Sequence, residues 1–457
     1  MSHPSHVDFL IAGAGITGLT LAFLLKQAGK TVRVIEQGDQ PGGAIRSVRD
    51  GDWLAECGAG SILESSEHIT RLIKDANLEN EVVPASAAAQ KRYLVKNGQI
   101  SPVPASVPAF MWSGLLSRQA KWQVLREPFI KPVEKQDEAL ANFVRRRLGH
   151  ELLDQFVNPL VGGIYAGDPE QLSVRHGFPR LQKLEDQHGS LIKGQIKGAK
   201  KDPARKEIPR NKARTFSFQK GVQTLPLRLA ELLGNSLKLT TAVDSITHKN
   251  PGFEAELNQK GTSEIITADQ AILTIPAHSL GSVSLNGETG IWEPLTEIPY
   301  APLSVINLGF HQKNIRHPLD GFGVLIPEKE NYRILGVQFN STVFEARAPE
   351  NHAMLTVFLG GMRHPTLPAK PGNEQIDIAL HDLRKLLGIR SDPEYVNFTN
   401  WQKAIPQYEV GYHRYLHRMK QVEEQFPGLH LAGNYRGGIA VGDCVVNAFM
   451  LSNKVAT

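Results

Sequence analysis

Cysteine is nearly absent: Cys57 and Cys444 are the only two in 457 residues. Two thiols exclude a disulfide framework and suit a reducing compartment; each reads as a small buried apolar residue. No stretch approaches the ~18 uncharged apolar residues that a spanning helix requires. The opening Met1-Ser2-His3-Pro4 lacks a basic segment, so no secretory signal is expected. No HExxH, Ser-His-Asp or Cys-His arrangement stands out. His413 and His417 lie four apart with no third ligand in view, so no metal is expected, and His176 and His278 read as structural. Internal repeats are also missing. The composition is ordinary globular, and the length calls for two or three domains. The net charge of +5 is local, because residues 191–214 hold nine Lys/Arg against Asp202 and Glu207 and leave the remainder at −2. Arg145-Arg146-Arg147 adds a second basic point. With no nucleic-acid motif beside it, the basic run reads as a solvated loop or as a patch attracted to anionic lipid.

What is present begins at Gly13-Ala14-Gly15-Ile16-Thr17-Gly18. This run follows the apolar segment 7–12 and opens a helix-like segment to Ala28; Thr31–Ile35 then reads as a second strand, ending at Glu36-Gln37. Gly13 permits the tight turn, Gly15 lets a pyrophosphate approach the backbone, and Gly18 lets helix and strand pack closely. The helix N-terminus offers unpaired N–H groups to phosphate. Glu36 can accept from ribose hydroxyls. A glycine turn in an ordinary βαβ unit is the bland alternative. Gly42-Gly43 with Arg46, then Gly58-Ala59-Gly60-Ser61, suit an extended flavin dinucleotide better than NAD, so noncovalent FAD is expected. Near the C-terminus a strand, a glycine turn and a helix start place Ile439, Ala440 and Val441 at the flavin edge. A backbone amide at Val243 could grip adenine.

Between these segments, 62–80 looks helical, 91–100 reads as a hairpin turning at Asn97-Gly98, and 102–191 is helical and proline-punctuated. Trp112 and the amphipathic run 117–125 with Trp122 suit a membrane interface or a domain core equally well. Residues 300–360 read as short alternating strands.

Together these segments resemble the protoporphyrinogen oxidase family of flavin enzymes, including its coproporphyrinogen-oxidising branch. The stretches 164–168, 321–327 and 405–408 are particular to that family. The resemblance implies an α/β (α+β overall) chain of three parts. A discontinuous Rossmann-like FAD domain takes 1–90, 215–275 and 406–457. A mixed-sheet substrate domain takes 276–405 with the hairpin 91–101. A helical, membrane-associated domain takes 102–214. It further implies that Arg92 meets a substrate carboxylate, that Leu325 and Phe358 sandwich the tetrapyrrole, that the Gly167 carbonyl faces a pyrrole N–H, and that Trp401 contacts FAD. Gln338 departs from the expected apolar pocket neighbour and leaves the preferred substrate open. The implied reaction is six-electron oxidation of protoporphyrinogen IX in haem biosynthesis. Hydride passes from a meso carbon to flavin N5, O2 is the final acceptor, H2O2 is released, and no side chain acts as a catalytic base. Coproporphyrinogen III is the alternative substrate; an amine oxidase, a carotenoid desaturase and a non-catalytic flavoprotein are more distant ones. The partners allowed are a porphyrinogen, O2, a membrane surface, a homodimer mate and the next haem-pathway enzyme, but no nucleic acid. The location expected is cytoplasmic, peripheral on the inner face of a membrane.

Overall fold

The computed structural model describes residues 5–104, 107–133, 137–198, 203–208 and 213–456. Met1–Pro4 and the basic-run residues Lys200, Lys201, Arg210 and Lys212 lie outside them.

An eight-stranded sheet holds the N-terminal glycine motif. Ser5–Ala12 pairs in parallel with Val32–Ile35 on one side and Thr262–Leu273 on the other. The second half of Thr262–Leu273 also carries Leu429–Leu431 in parallel, while its first half pairs antiparallel with Phe253–Gln259. Segments far apart in sequence thus build one sheet. The first helix, Ile16–Gln27, is buried from Ile16 to Leu25. It lies between the sheet and the last helix, Val441–Val455, so it needs apolar residues all round.

A second, seven-stranded sheet runs Tyr395–Pro406, Tyr300–His311, His352–Gly360, Ile334–Phe339, Gly323–Leu325, Tyr93–Lys96, Gln99–Pro102. Its neighbours are antiparallel except Gly323–Leu325 beside Tyr93–Lys96. Short strands stand where expected at Gly323–Leu325 and Ile334–Phe339, but Tyr300–His311 and His352–Gly360 are longer than expected, and Tyr300–His311 is buried at almost every position. The helix Gly372–Leu387 covers one face, packing on Ile334–Phe339 and His352–Gly360, with its Leu383 and Leu387 in one core cluster with Ile306 and Leu308. On the other face Trp53 crowds Gly309. A sheet covered on both faces loses its polar alternation.

Two further expectations change. Residues 62–80 are not one helix: Ile62–Leu63 is a strand paired with Thr215–Phe218, and the helix Glu67–Asp75 starts after Ser66, whose Oγ accepts from His68 N at 3.2 Å. Arg145-Arg146-Arg147 is not a basic point. Arg147 is fully buried between Glu127 and Glu185, Arg146 pairs with Glu138 and Glu185, and Arg145 with Glu170. In the helical region Trp112 is 91% and Trp122 67% exposed, so neither is a core residue. Among the described residues no helix is long and apolar enough to cross a membrane.

Candidate active site

The glycine motif closes on itself. Gly13 takes φ +104, and its carbonyl oxygen comes within 2.1 Å of where a Cβ on Gly18 would sit. Thr274 Oγ donates toward the carbonyls of Ala12 and Gly13, 2.9 Å from each, and locks the turn to the neighbouring strand. Gly15 caps the first helix, and a Cβ there would meet nothing within 4 Å. Gly42 (φ +112) bridges to Gly15, and its N–H donates to Ala14 O at 2.8 Å. Gly43 (φ +61) directs its missing Cβ to within 3.6 Å of Gly15 Cα. The Glu36 carboxylate accepts from Ala14 N at 2.8 Å and Gly38 N at 2.7 Å; Gln37 beside it is exposed. Thr241 N donates to Glu36 O, which brings the strand bearing Val243 to the same edge. The result is a backbone cradle, open where side chains are missing, at a helix N-terminus, with a carboxylate alongside. This fits the pyrophosphate and ribose of FAD.

From the cradle the chain leads to a second cluster. Arg46 donates to Gly43 O, and its guanidinium lies 6.0 Å from the Trp401 ring centre. Trp401 Nε1 donates to Cys57 O at 2.7 Å. A Cβ on Gly58 would meet Ala44 O at 2.2 Å, so only glycine lets these loops touch. Ser61 ends this segment, just before the strand at Ile62. Gly437 and Gly438 take positive φ, Ala440 caps the last helix with Ile439 before it and Val441 after it, and Gly438 N donates to Tyr408 Oη at 3.1 Å. Thr17, on the first helix, hydrogen-bonds the Cys444 thiol on the last, so the two helix starts stand together.

The seven-stranded sheet faces this cluster with two side-chain rows. One runs Leu325, Gly336, Phe358, Val305, Thr399 across five strands. Leu325 and Phe358 are half-buried on either side of Gly336, which makes an apolar shelf with a gap in the middle. Gly163, on the helix Asn158–Tyr165, sits over it: a Cβ there would meet Leu325 Cδ2 at 2.6 Å. Gly167 follows that helix, and a Cβ on it would meet Gln407 Oε1 at 2.5 Å. The second row, two residues along each strand, is Gln338, Thr356, Asn307, Asn397. Thr356 Oγ donates to Asn307 Oδ1 at 2.5 Å, and Asn307 Nδ2 donates to Glu56 O at 2.9 Å. The Gln338 amide reaches the Gly60 loop, 3.7 Å from where a Cβ on Gly60 would sit, and its Nε2 is buried with no partner among the described residues. Gln338 therefore borders the loop of Gly58 to Ser61 rather than standing only in an apolar pocket. Arg92 is exposed at the rim of this sheet, its guanidinium 4.8 Å from the Phe322 ring centre.

Sequence reasoning missed Thr274, Asn307 and Glu56. Glu56 is buried; its carboxylate accepts from Ser47 Oγ at 2.6 Å and Val222 N at 2.9 Å. Burial pushes this carboxyl up to about 7, against the pull of those hydrogen bonds and of buried Arg347. Burial also raises the carboxyl of Asp443, which lies against the Gly438 turn. The arrangement can hold a planar redox cofactor beside an apolar shelf.

The family described as flavin containing amine oxidoreductase matches residues 16–450. Mitochondrial protoporphyrinogen oxidase of Nicotiana tabacum is 35% identical over 96% of this chain and 93% of its own. Coproporphyrinogen III oxidase of Bacillus subtilis (strain 168) is 28% identical over 95% of each chain. A solved structure from Exiguobacterium sp. 255-15 superposes with TM-score 0.80 at 24% identity, covering 100% of this chain and 99% of that one, a likeness of fold. Cradle, shelf and full-length similarity agree, and this chain is an FAD-dependent oxidoreductase of the flavin containing amine oxidoreductase family, within its protoporphyrinogen oxidase group.

Proposed function

We propose that the chain oxidises protoporphyrinogen IX to protoporphyrin IX with O2 as acceptor. The observation that carries this reading is the apolar shelf of Leu325, Gly336 and Phe358, beside which Gln338 reaches the Gly60 loop. Bound FAD supplies a two-electron acceptor that O2 reoxidises. The chain's part is placement. Leu325 and Phe358 hold the faces of a large apolar ring, the Gly167 carbonyl accepts from a pyrrole N–H, and Arg92 at the rim pairs a propionate. Gln338 Nε2–H points its donor at the boundary between ring and cofactor. Arg92→Ala then raises KM more than it lowers kcat; loss of one charge-assisted hydrogen bond is worth about 1.5–3 kcal/mol, roughly 10–100-fold in kcat/KM.

Coproporphyrinogen III is the second reading, favoured by the full-length similarity to the Bacillus protein. Anaerobic mixing of the yellow protein with each porphyrinogen separates the two. Bleaching by protoporphyrinogen IX supports the first reading, bleaching by coproporphyrinogen III alone supports the second, and bleaching by neither overturns both. The same reading includes a membrane surface as partner. Trp112, Trp122, Phe129 (84% exposed) and Ile196 (82% exposed) project from the helical region near Lys121, Arg126 and Lys193. Co-sedimentation with anionic vesicles that is unchanged in Trp112→Ser/Trp122→Ser removes this part.

A further inference from the structure

We propose that Asp137, His176 and His413 form a binding site for a zinc-class divalent transition cation, at the joint between the helical region and the segment leading to the flavin-edge turn. Each residue offers one ligand atom, and the three atoms lie within 4.8 Å of one another. One carboxylate and two imidazoles are a donor set suited to zinc and its neighbours, with coordination completed by water.

Two observations separate this cluster from a chance gathering. His176 Nε2 is shielded from solvent and has no hydrogen-bond partner among the described residues. Its nearest acid oxygen, Asp137 Oδ2, is 4.0 Å away, too far for a hydrogen bond. Asp137 is already held in place: Oδ1 accepts from Ser173 Oγ at 2.5 Å and Oδ2 from Gly411 N at 3.0 Å. Ser173 Oγ also accepts from His176 N at 3.0 Å, so one residue orients both ligands. Such outer contacts are what a metal site needs to fix its ligands. His413 is exposed, its ring 6.5 Å from that of His176, which leaves an entry path and room for water. Its neighbour Arg414 turns away and donates to Tyr415 Oη at 2.6 Å, so no guanidinium from that position competes. Ligands about 2.1 Å from a tetrahedral ion stand about 3.4 Å apart. The His176–Asp137 pair, at 4.0 Å, therefore closes slightly on loading, and the exposed His413 ring moves in to meet it.

The position gives the site a purpose. Ser173 N donates to Tyr408 O and Val410 N to Gln171 O, stitching the helical region to residues 408–411. Tyr408 Oη in turn donates to Asn434 O and accepts from Gly438 N. A cation shared by Asp137, His176 and His413 clamps this joint and steadies the glycine turn one tyrosine away.

The test uses untagged, FAD-loaded full-length protein stripped with a chelator and titrated with Zn2+, and separately with Co2+. We expect one equivalent per chain, a higher Tm, and visible d–d absorption with Co2+ of a low-symmetry nitrogen–oxygen site. His413→Ala, an exposed change that leaves folding intact, and Asp137→Asn, which keeps one of its two acceptor oxygens, should each weaken binding by at least about tenfold. Both variants should keep the wild-type flavin spectrum. The proposal is overturned by no binding tighter than roughly 10 µM, or by stoichiometry and affinity that neither substitution alters.

Discussion

Glu56→Gln tests how the loop that starts at Cys57 is anchored. The Glu56 carboxyl is buried under the sheet, and burial raises it from its usual 4.5 to about 7. Over that interval the unfolded chain releases a proton that the native chain keeps. The contribution of the neutral carboxyl is therefore complete below pH 4.5 and is lost as pH rises through 7. At ~1.4 kcal/mol per pH unit this slope removes about 3 kcal/mol of stability from the wild type. The amide introduced by the substitution cannot ionise, so the variant lacks the slope, while its oxygen still accepts from Val222 N–H. Urea unfolding of both proteins at about pH 5, 6, 7 and 8, followed by tryptophan fluorescence, gives the difference directly. The variant should gain about 3 kcal/mol relative to wild type from roughly pH 5 to pH 8. A difference that stays flat refutes the reasoning. That flat outcome would mean that buried Arg347, which lowers the Glu56 pKa, outweighs desolvation and keeps the carboxylate ionised across this range.

Gly18→Ala should yield colourless protein, since its Cβ would meet the Gly13 carbonyl oxygen at 2.1 Å and neither strand nor helix can yield; the ratio of flavin to protein absorbance reads this out. Asn307→Leu leaves Glu56 O and Thr356 Oγ without their buried partner; it should cost about 2–4 kcal/mol in urea unfolding and weaken FAD retention on dilution. Gly163→Val should retain FAD but lose turnover, because the added carbons enter the space of Leu325 Cδ2 on the shelf; full activity would remove that helix from the pocket.

How much of this could be read beforehand depended on distance along the chain. Gly13 to Gly18 and Glu36 were legible because turn, helix and carboxylate follow one another and each has a local conformational signature. Thr274 carries no such mark; its task is set by the strand that lands beside Ala12. Arg145, Arg146 and Arg147 looked like surface charge because their partners Glu127, Glu138, Glu170 and Glu185 come from other segments. His413 was paired with His417 by helical spacing, yet its close neighbour is His176. Gln338 was noticed only as a departure, and its reason lies in the loop it faces, at Gly60.

Asn307, Thr356 and Asn397 were unreadable for a different reason, which also accounts for the site's precision. Each lies two residues from a member of the shelf row: Asn307 from Val305, Thr356 from Phe358, Asn397 from Thr399, and Gln338 from Gly336. Side chains two apart on a strand share a face and stand about 6.8 Å apart. The row that reaches the loops of Glu56 and Gly60 and the row that forms the apolar shelf are thus set at one repeat of the same sheet. Their separation needs no flexible loop to maintain it, and a one-residue slip in any strand would turn both rows away together. Polar residues in the middle of a covered sheet are costly unless paired. Here Thr356 is paired with Asn307 and Asn307 with Glu56 O, so burying them fixes the spacing between the apolar shelf and the loop that carries Glu56.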